Sequence, residues 1–165
     1  MCSLRDSISI RPATDDDVAL LVAWHADPEV ARYWDDETFT ADEIRERLAR
    51  TEVDPWIVEV AGEPVGYLQS WGEDGRPRRG GLDGFLIPGA RGRGVMVVAA
   101  RTLAERLLDD GWAEVTVDPY EWNEHAIHAW ARAGFVEVDR YPPDEAHSSP
   151  WILMRFDESA ASLWR

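Results

Sequence analysis

Pro88-Gly89-Ala90-Arg91-Gly92-Arg93-Gly94 packs one proline, three glycines and two arginines into seven residues. Residues 81–87 before it read as a strand, with Leu82 and Asp83 on opposite faces. After it, Val95, Val98, Ala99, Thr102, Leu103 and Leu107 form one apolar helical stripe. Strand, glycine loop and helix in that order make an anion site. Glycines let the backbone close in, and unsatisfied N–H groups of the first helical turn point at the anion. Arg91 and Arg93 add positive charge at the rim. The chemistry on offer is phosphate binding, and two common forms of it are excluded. No Gly-Lys-Ser/Thr ending follows, so this is not a nucleoside-triphosphate P-loop. Val97 stands where a dinucleotide fingerprint needs its third glycine.

Charge singles out the next candidate. The chain of 165 residues holds 32 acids against 17 basic residues, all of them Arg, for a net charge of −15. Such a balance disfavours nucleic acid and anionic membrane and favours a cationic small molecule. Residues 76–101 reverse it, with six arginines and one acid, Asp83, which leaves −20 for the rest. Asp83 is the sole acid in that window and falls on a central strand, where a carboxylate left unpaired would be costly, so it is singled out as a candidate. His25, His125, His128 and His147 are scattered and Cys2 is the lone cysteine, so neither a metal site nor an internal disulfide is expected. That cysteine usage, the lack of a signal-peptide pattern and the lack of a membrane-spanning run point to a cytoplasmic protein.

These residues need elements to place them. The length suits a single domain, 1–165, with a core over about residues 7–156. Residues 7–11 alternate as a strand ending at Pro12, and Thr14 with Asp17 makes a capping box before a helix with Val18, Leu21, Val22 and His25 on one face. Asp27-Pro28 opens a second short helix expected to run through Tyr33 and Trp34, and Thr40 with Glu43 caps a third carrying Ile44 and Leu48. Segments 56–60 and 64–71 flank Ala61-Gly62-Glu63 as a hairpin. Residues 114–117 form a short strand before Asp118-Pro119, and Asn123 starts a helix with Ala126, Ile127 and Trp130 facing inward, stopped by Gly134. Strands 135–138 and 151–156 follow. The predicted class is α/β, a mixed, mostly antiparallel sheet flanked by helices with one crossover.

Arg-Gly-x-Gly opening a helix at Arg91–Gly94, then Asn-x-x-Ala-Ile-x-x-aromatic-x-x-x-Gly-Phe from Asn123 to Phe135, resembles the acetyl-CoA-binding half of the GNAT superfamily of N-acetyltransferases. The resemblance implies a CoA pyrophosphate on the N–H groups of Arg91, Gly92, Arg93, Gly94 and Val95. It also implies a sheet splayed between strands 81–87 and 114–118, with pantetheine along Phe85, Leu86 and Ile87 and against Asn123, Ala126 and Trp130. The family's usual residue at Trp130 is Tyr, which returns a proton to the CoA thiolate. An indole N–H cannot, and Tyr120 is the candidate substitute. Glu63-Pro64-Val65-Gly66-Tyr67, Gly81-Leu82-Asp83 and Val117-Asp118-Pro119 are similar to aminoglycoside 6'-N-acetyltransferases. That likeness implies antibiotic resistance as the role, Asp83 holding and deprotonating the amine, Asp118 contacting the acceptor, and Tyr33-Trp34 lying over it.

The residues suit such an acceptor. A polycation with sugar rings wants flat faces and several carboxylates, and Asp35, Asp36, Glu37, Asp118, Glu121 and Glu124 join Asp83 as candidates. The ammonium must lose a proton before its nitrogen adds to the thioester carbonyl; Asp83 is placed to take it, and N–H groups near Leu86 or Ile87 to stabilise the oxyanion. Alternative acceptors are a siderophore amine, a polyamine or a protein N-terminus. A non-catalytic acyl-CoA-binding domain is the alternative outside enzymes. Either a monomer or a homodimer fits.

Overall fold

The computed structural model describes residues 3–75 and 77–162, so Cys2 and Arg76 of the basic window lie outside the described residues. Two units divide the chain, Met1–Trp71 with Asp83–Val95, and Gly72–Leu82 with Met96–Arg165. The boundary cuts the fourth strand between Leu82 and Asp83.

In the first unit, β1 (Ile8–Pro12) pairs antiparallel with β2 (Val53–Val60), from Ile8↔Val60 to Pro12↔Trp56. β2 pairs antiparallel with β3 (Glu63–Glu73). Their hairpin turns on Ala61 and Gly62, at φ 51° and 81°, the positive values a two-residue type I′ turn demands. Both predicted capping boxes form. Thr14 and Asp17 close the first around a 3₁₀ turn that runs into α1 (Val18–Ala26); Thr40 and Glu43 close the second at α3 (Ala41–Leu48). Val18, Leu21, Trp24 and His25 are buried along α1, and Val30, Ile44, Ile57, Tyr67 and Phe85 complete this core.

One helix is shorter than expected. α2 covers only Pro28–Ala31, and Tyr33 and Trp34 lie in the turns beyond it. The Asp36 N–H donates to the Ala31 carbonyl at 2.7 Å, while Asp35 and Asp36 take φ 51° and 57°. Aspartates tolerate the left-handed region better than most residues, so they end the helix where no glycine stands.

In the second unit, the start of β4 (Arg79–Leu86) pairs in parallel with β5 (Glu114–Val117) over Arg79↔Glu114, Gly80↔Val115 and Gly81↔Thr116. β5 pairs antiparallel with β7 (Trp151–Phe156), and β7 with β6 (Phe135–Tyr141). The strand order is β1-β2-β3-β4-β5-β7-β6, with one parallel step, as the element order predicted. α4 (Val95–Asp109) buries Leu103, Ala104 and Leu107, and α5 (Glu124–Ala133) ends at Gly134, φ 117°. A last helix, α6 (Glu158–Ser162), is too short to show a sequence period.

Arg11 pins the entry to α1 by a bidentate pair with the buried Asp17, 2.9 and 2.8 Å, and Asp17 also accepts from the Thr14 N–H at 2.9 Å. The Arg11 hydrogen bond, against the cost of burial, holds the Asp17 carboxyl below its ordinary range. A carboxyl lowered by folding contributes stability above the ordinary carboxylate range and loses it as pH falls through that range. Asp17→Asn is expected to cost about 1.5 kcal/mol at pH 7, limited by solvent screening of the part-exposed Arg11. Urea unfolding should show the gap to wild type closing below about pH 4.

Candidate active site

The first unit carries the glycine loop. After β4 the chain makes a 3₁₀ turn over Pro88–Ala90 and reaches α4 through Gly92 and Gly94, at φ 78° and 75°. A Cβ built on either glycine meets nothing within 4 Å, so the space over the loop is open. Arg91 does not point into it. Its Nε donates to the Leu86 carbonyl at 3.0 Å and its Nη2 to the Glu29 carbonyl at 2.8 Å, with the guanidinium 5.2 Å from the Tyr33 ring centroid. The arginine expected at the rim is thus a staple between the loop and α2, and Arg93 is the exposed cation. The Ile87 N–H is also committed, donating to the Val65 carbonyl at 2.9 Å, which leaves Leu86 of the two oxyanion candidates. The Phe85 side chain is core, so any cofactor contact there falls to its backbone.

The same unit carries an aromatic cage built around a half-buried cation. Arg47 of α3 lies 4.1 Å from the ring centroid of Phe39 and 5.5 Å from that of Trp34. Its Nη1 is 3.4 Å from Nε2 of His25. His25 is fully buried, with Phe39, Phe85 and Trp34 at 4.7, 4.9 and 5.5 Å. Burial first, then the Arg47 charge, lowers its pKa to about 4. The ring is therefore neutral at pH 7 and accepts from Arg47 on Nε2, and its Nδ1 has no partner among the described residues. The Tyr67 hydroxyl donates to Gln69 Oε1 at 2.8 Å, and burial raises its pKa. Asp83, half-buried, acts electrostatically on both Arg47 and Tyr67. Within this unit Trp34 meets Phe85 at 5.8 Å and Tyr33 meets Arg91, while Asp35 is exposed on its turn. Sequence reading missed His25 and Arg47 as site residues. The signal available was Arg47 sitting three residues after the core residue Ile44.

The second unit holds the remaining predicted residues. Asn123 is the N-cap of α5, its Oδ1 accepting the Ala126 N–H at 3.2 Å, and Trp130 is buried edge-on to Phe135 at 5.6 Å. Tyr120 stacks on Trp122 at 5.8 Å, and its hydroxyl accepts from the Ser148 N–H at 3.3 Å. Glu121 is tied to Arg140 at 2.9 Å. Asp118, closing β5, lies 2.7 Å from Nε2 of His147, whose Nδ1 lies 2.8 Å from Asp144. Sequence reading left His147 among the scattered histidines. Among the described residues no cluster of His, Cys, Asp or Glu could hold a metal ion, and no helix is long and apolar enough to cross a membrane.

A family model described as the acetyltransferase (GNAT) domain matches residues 13–142. The chain belongs to the GNAT acetyltransferase family. It is 32% identical, over 151 residues covering 79% of this chain and 74% of the relative, to aminoglycoside N(6')-acetyltransferase type 1 of Klebsiella pneumoniae. Among solved structures it is similar to AAC(6')-Ib in complex with paromomycin and acetyl-CoA, at TM-score 0.82 and 26% identity, covering 97% of this chain and 98% of the other. Spermidine N-acetyltransferase from Vibrio cholerae shares the fold, at TM-score 0.80 and 15% identity over 94% and 98% of the two chains. Membership makes this GNAT chain an acetyltransferase and accounts for the glycine loop and the order of its elements.

His25 links this cage to pH. Its folded pKa lies below the ordinary 6.5, so the unfolded chain binds the proton more readily and stability falls with pH between 6.5 and about 4. The loss from this one group between pH 7 and pH 5 is about 2 kcal/mol. His25→Gln, which does not titrate, is expected to flatten that part of the stability profile in urea unfolding.

Proposed function

We propose that this GNAT enzyme transfers the acetyl group of acetyl-CoA to the 6'-amino group of an aminoglycoside, in the cytoplasm, and so confers resistance. The observation that carries the reading is similarity along nearly the whole chain to enzymes named for that acceptor, one of them solved with an aminoglycoside and acetyl-CoA. The loop supports the co-substrate: two glycines at positive φ with open space above them, at the start of α4, suit a pyrophosphate. With Arg91 spent on carbonyls, backbone N–H groups and Arg93 supply the attraction. In the second unit Asn123 keeps its amide NH₂ for the pantetheine arm, because only its Oδ1 is used in the cap.

Asp83 is the general base. It takes a proton from the acceptor ammonium, and the freed nitrogen pair attacks the thioester carbonyl, with the Leu86 N–H as the oxyanion donor. The half-buried Arg47 charge disfavours a second positive charge on an amine held near it. Trp34 and Tyr33 offer faces to a sugar ring, and Asp118 is the carboxylate for a further ammonium. Tyr120 is the candidate acid for the CoA thiolate, since buried Trp130 has no proton to give.

Asp83→Asn is expected to lower kcat by at least about a hundredfold at neutral pH, and to gain rate as pH rises and more amine arrives deprotonated. A thiol-release assay against an aminoglycoside panel reads both, and wild-type turnover by the variant rejects the base assignment. Gly92→Val places a β-branched side chain at φ 78° and into the open space, so isothermal titration should show acetyl-CoA binding abolished.

A further inference from the structure

His147 lies between two carboxylates, with Nε2 at 2.7 Å from Asp118 Oδ2 and Nδ1 at 2.8 Å from Asp144 Oδ1. A neutral imidazole has one N–H and one lone pair, so it can donate to only one of them. Two nitrogens facing two carboxylates both need hydrogens, which makes the ring an imidazolium. The seat is built on two further sides. The ring stacks on Trp151 of β7 at 4.1 Å and 14°, and the indole N–H of Trp151 holds the other oxygen of Asp144 at 3.1 Å. Tyr120, just after β5, stands edge-on at 6.2 Å. Among the described residues, Asp118 and Asp144 are the charged groups in contact with the ring, and Tyr120 is the other titratable group against it.

We propose that His147 is a resident cation that competes with an ammonium of the acceptor for Asp118 and Asp144, and so sets how strongly a multiply charged amine binds. The inference rests on the proposed function in taking the acceptor to be a polycation and Asp118 to receive one of its ammonium groups. An ammonium that reaches Asp118 must displace the imidazolium or meet the ring after it has lost its proton to solvent. In the second case the neutral ring keeps a single donor, which Asp144 can accept; in the first, the imidazolium keeps Asp144 alone. Linkage then requires acceptor binding and His147 protonation to oppose each other by the same factor. Burial alone disfavours the cation, but hydrogen bonds to Asp118 and Asp144 outweigh it and the pKa is raised. The competition is therefore present at neutral pH and fades in more basic solution.

The test is an NMR titration of histidine-labelled full-length protein, alone and with saturating spermidine or kanamycin. The His147 pKa is expected to fall when either polycation is added, and Asp118→Asn is expected to lower it with no probe present. Steady-state kinetics then compare wild type with His147→Gln. The ratio of their aminoglycoside KM values cancels the titration of the substrate's own amines. It should be about fivefold or more near pH 6, wild type being weaker, and approach one near pH 8.5, with the effect carried by KM. A His147 pKa unmoved by both probes overturns the proposal, as does a His147→Gln KM equal to or above wild type near pH 6. If wild type acetylates no aminoglycoside, the proposed function fails by itself. The spermidine titration still decides the competition, for it if the pKa falls and against it if it does not.

Discussion

A guanidinium inside an aromatic cage is the constraint around which α1, α3 and the turns after α2 are arranged. Even half-buried, the permanent charge of Arg47 calls for partners, and its surroundings supply them: the faces of Phe39 and Trp34, the lone pair of a neutral His25, and the field of Asp83. Each partner is in turn fixed by that demand. His25 must stay unprotonated to accept, and its ring then packs edge-on to Trp34, Phe39 and Phe85. The same aromatics form the core between α1, α3 and the sheet, so the packing that stabilises this unit also shapes its chemistry.

Cations are handled differently at the glycine loop. The loop spends the Arg91 N–H on the Pro88 carbonyl at 3.2 Å and the Arg91 guanidinium on two further carbonyls, so the predicted pyrophosphate donors narrow to Gly92 through Val95. Carbonyl oxygens near a turn are cheap partners for a planar donor fork, and the result is rigidity in the loop at the loss of one free charge. An anion site made of N–H groups is less sensitive to side-chain motion than one made of arginines.

An acidic protein for a cationic acceptor must also keep its own cations off the carboxylates it needs. Glu121 is held by Arg140, a permanent cation, whereas Asp118 is held by His147, whose charge can be lost with a proton. Arginine cannot be switched off near neutral pH and histidine can, which gives the choice of residue at His147 a physical meaning.

Strand and helix order, both capping boxes, the single parallel step and the glycine loop were legible in the sequence, because each depends on neighbours within a few residues or on the alternation of apolar positions. Asn123 and Asp83 stand out in the sequence through type and rarity, one as the only asparagine and one as the lone acid in a basic window, and their proposed roles rest on that and on the family resemblance. The early end of α2 was not legible, since it depends on two aspartates accepting left-handed backbone, which no periodicity encodes. Nor were the partners of Arg91, Arg47 and His147. Glu29 lies 62 residues from Arg91, His25 lies 22 from Arg47, and Asp118 lies 29 from His147. Local sequence determines which groups a segment offers. Tertiary structure alone decides which offers are taken, because a charge is satisfied by whatever folding brings within about 3 Å of it.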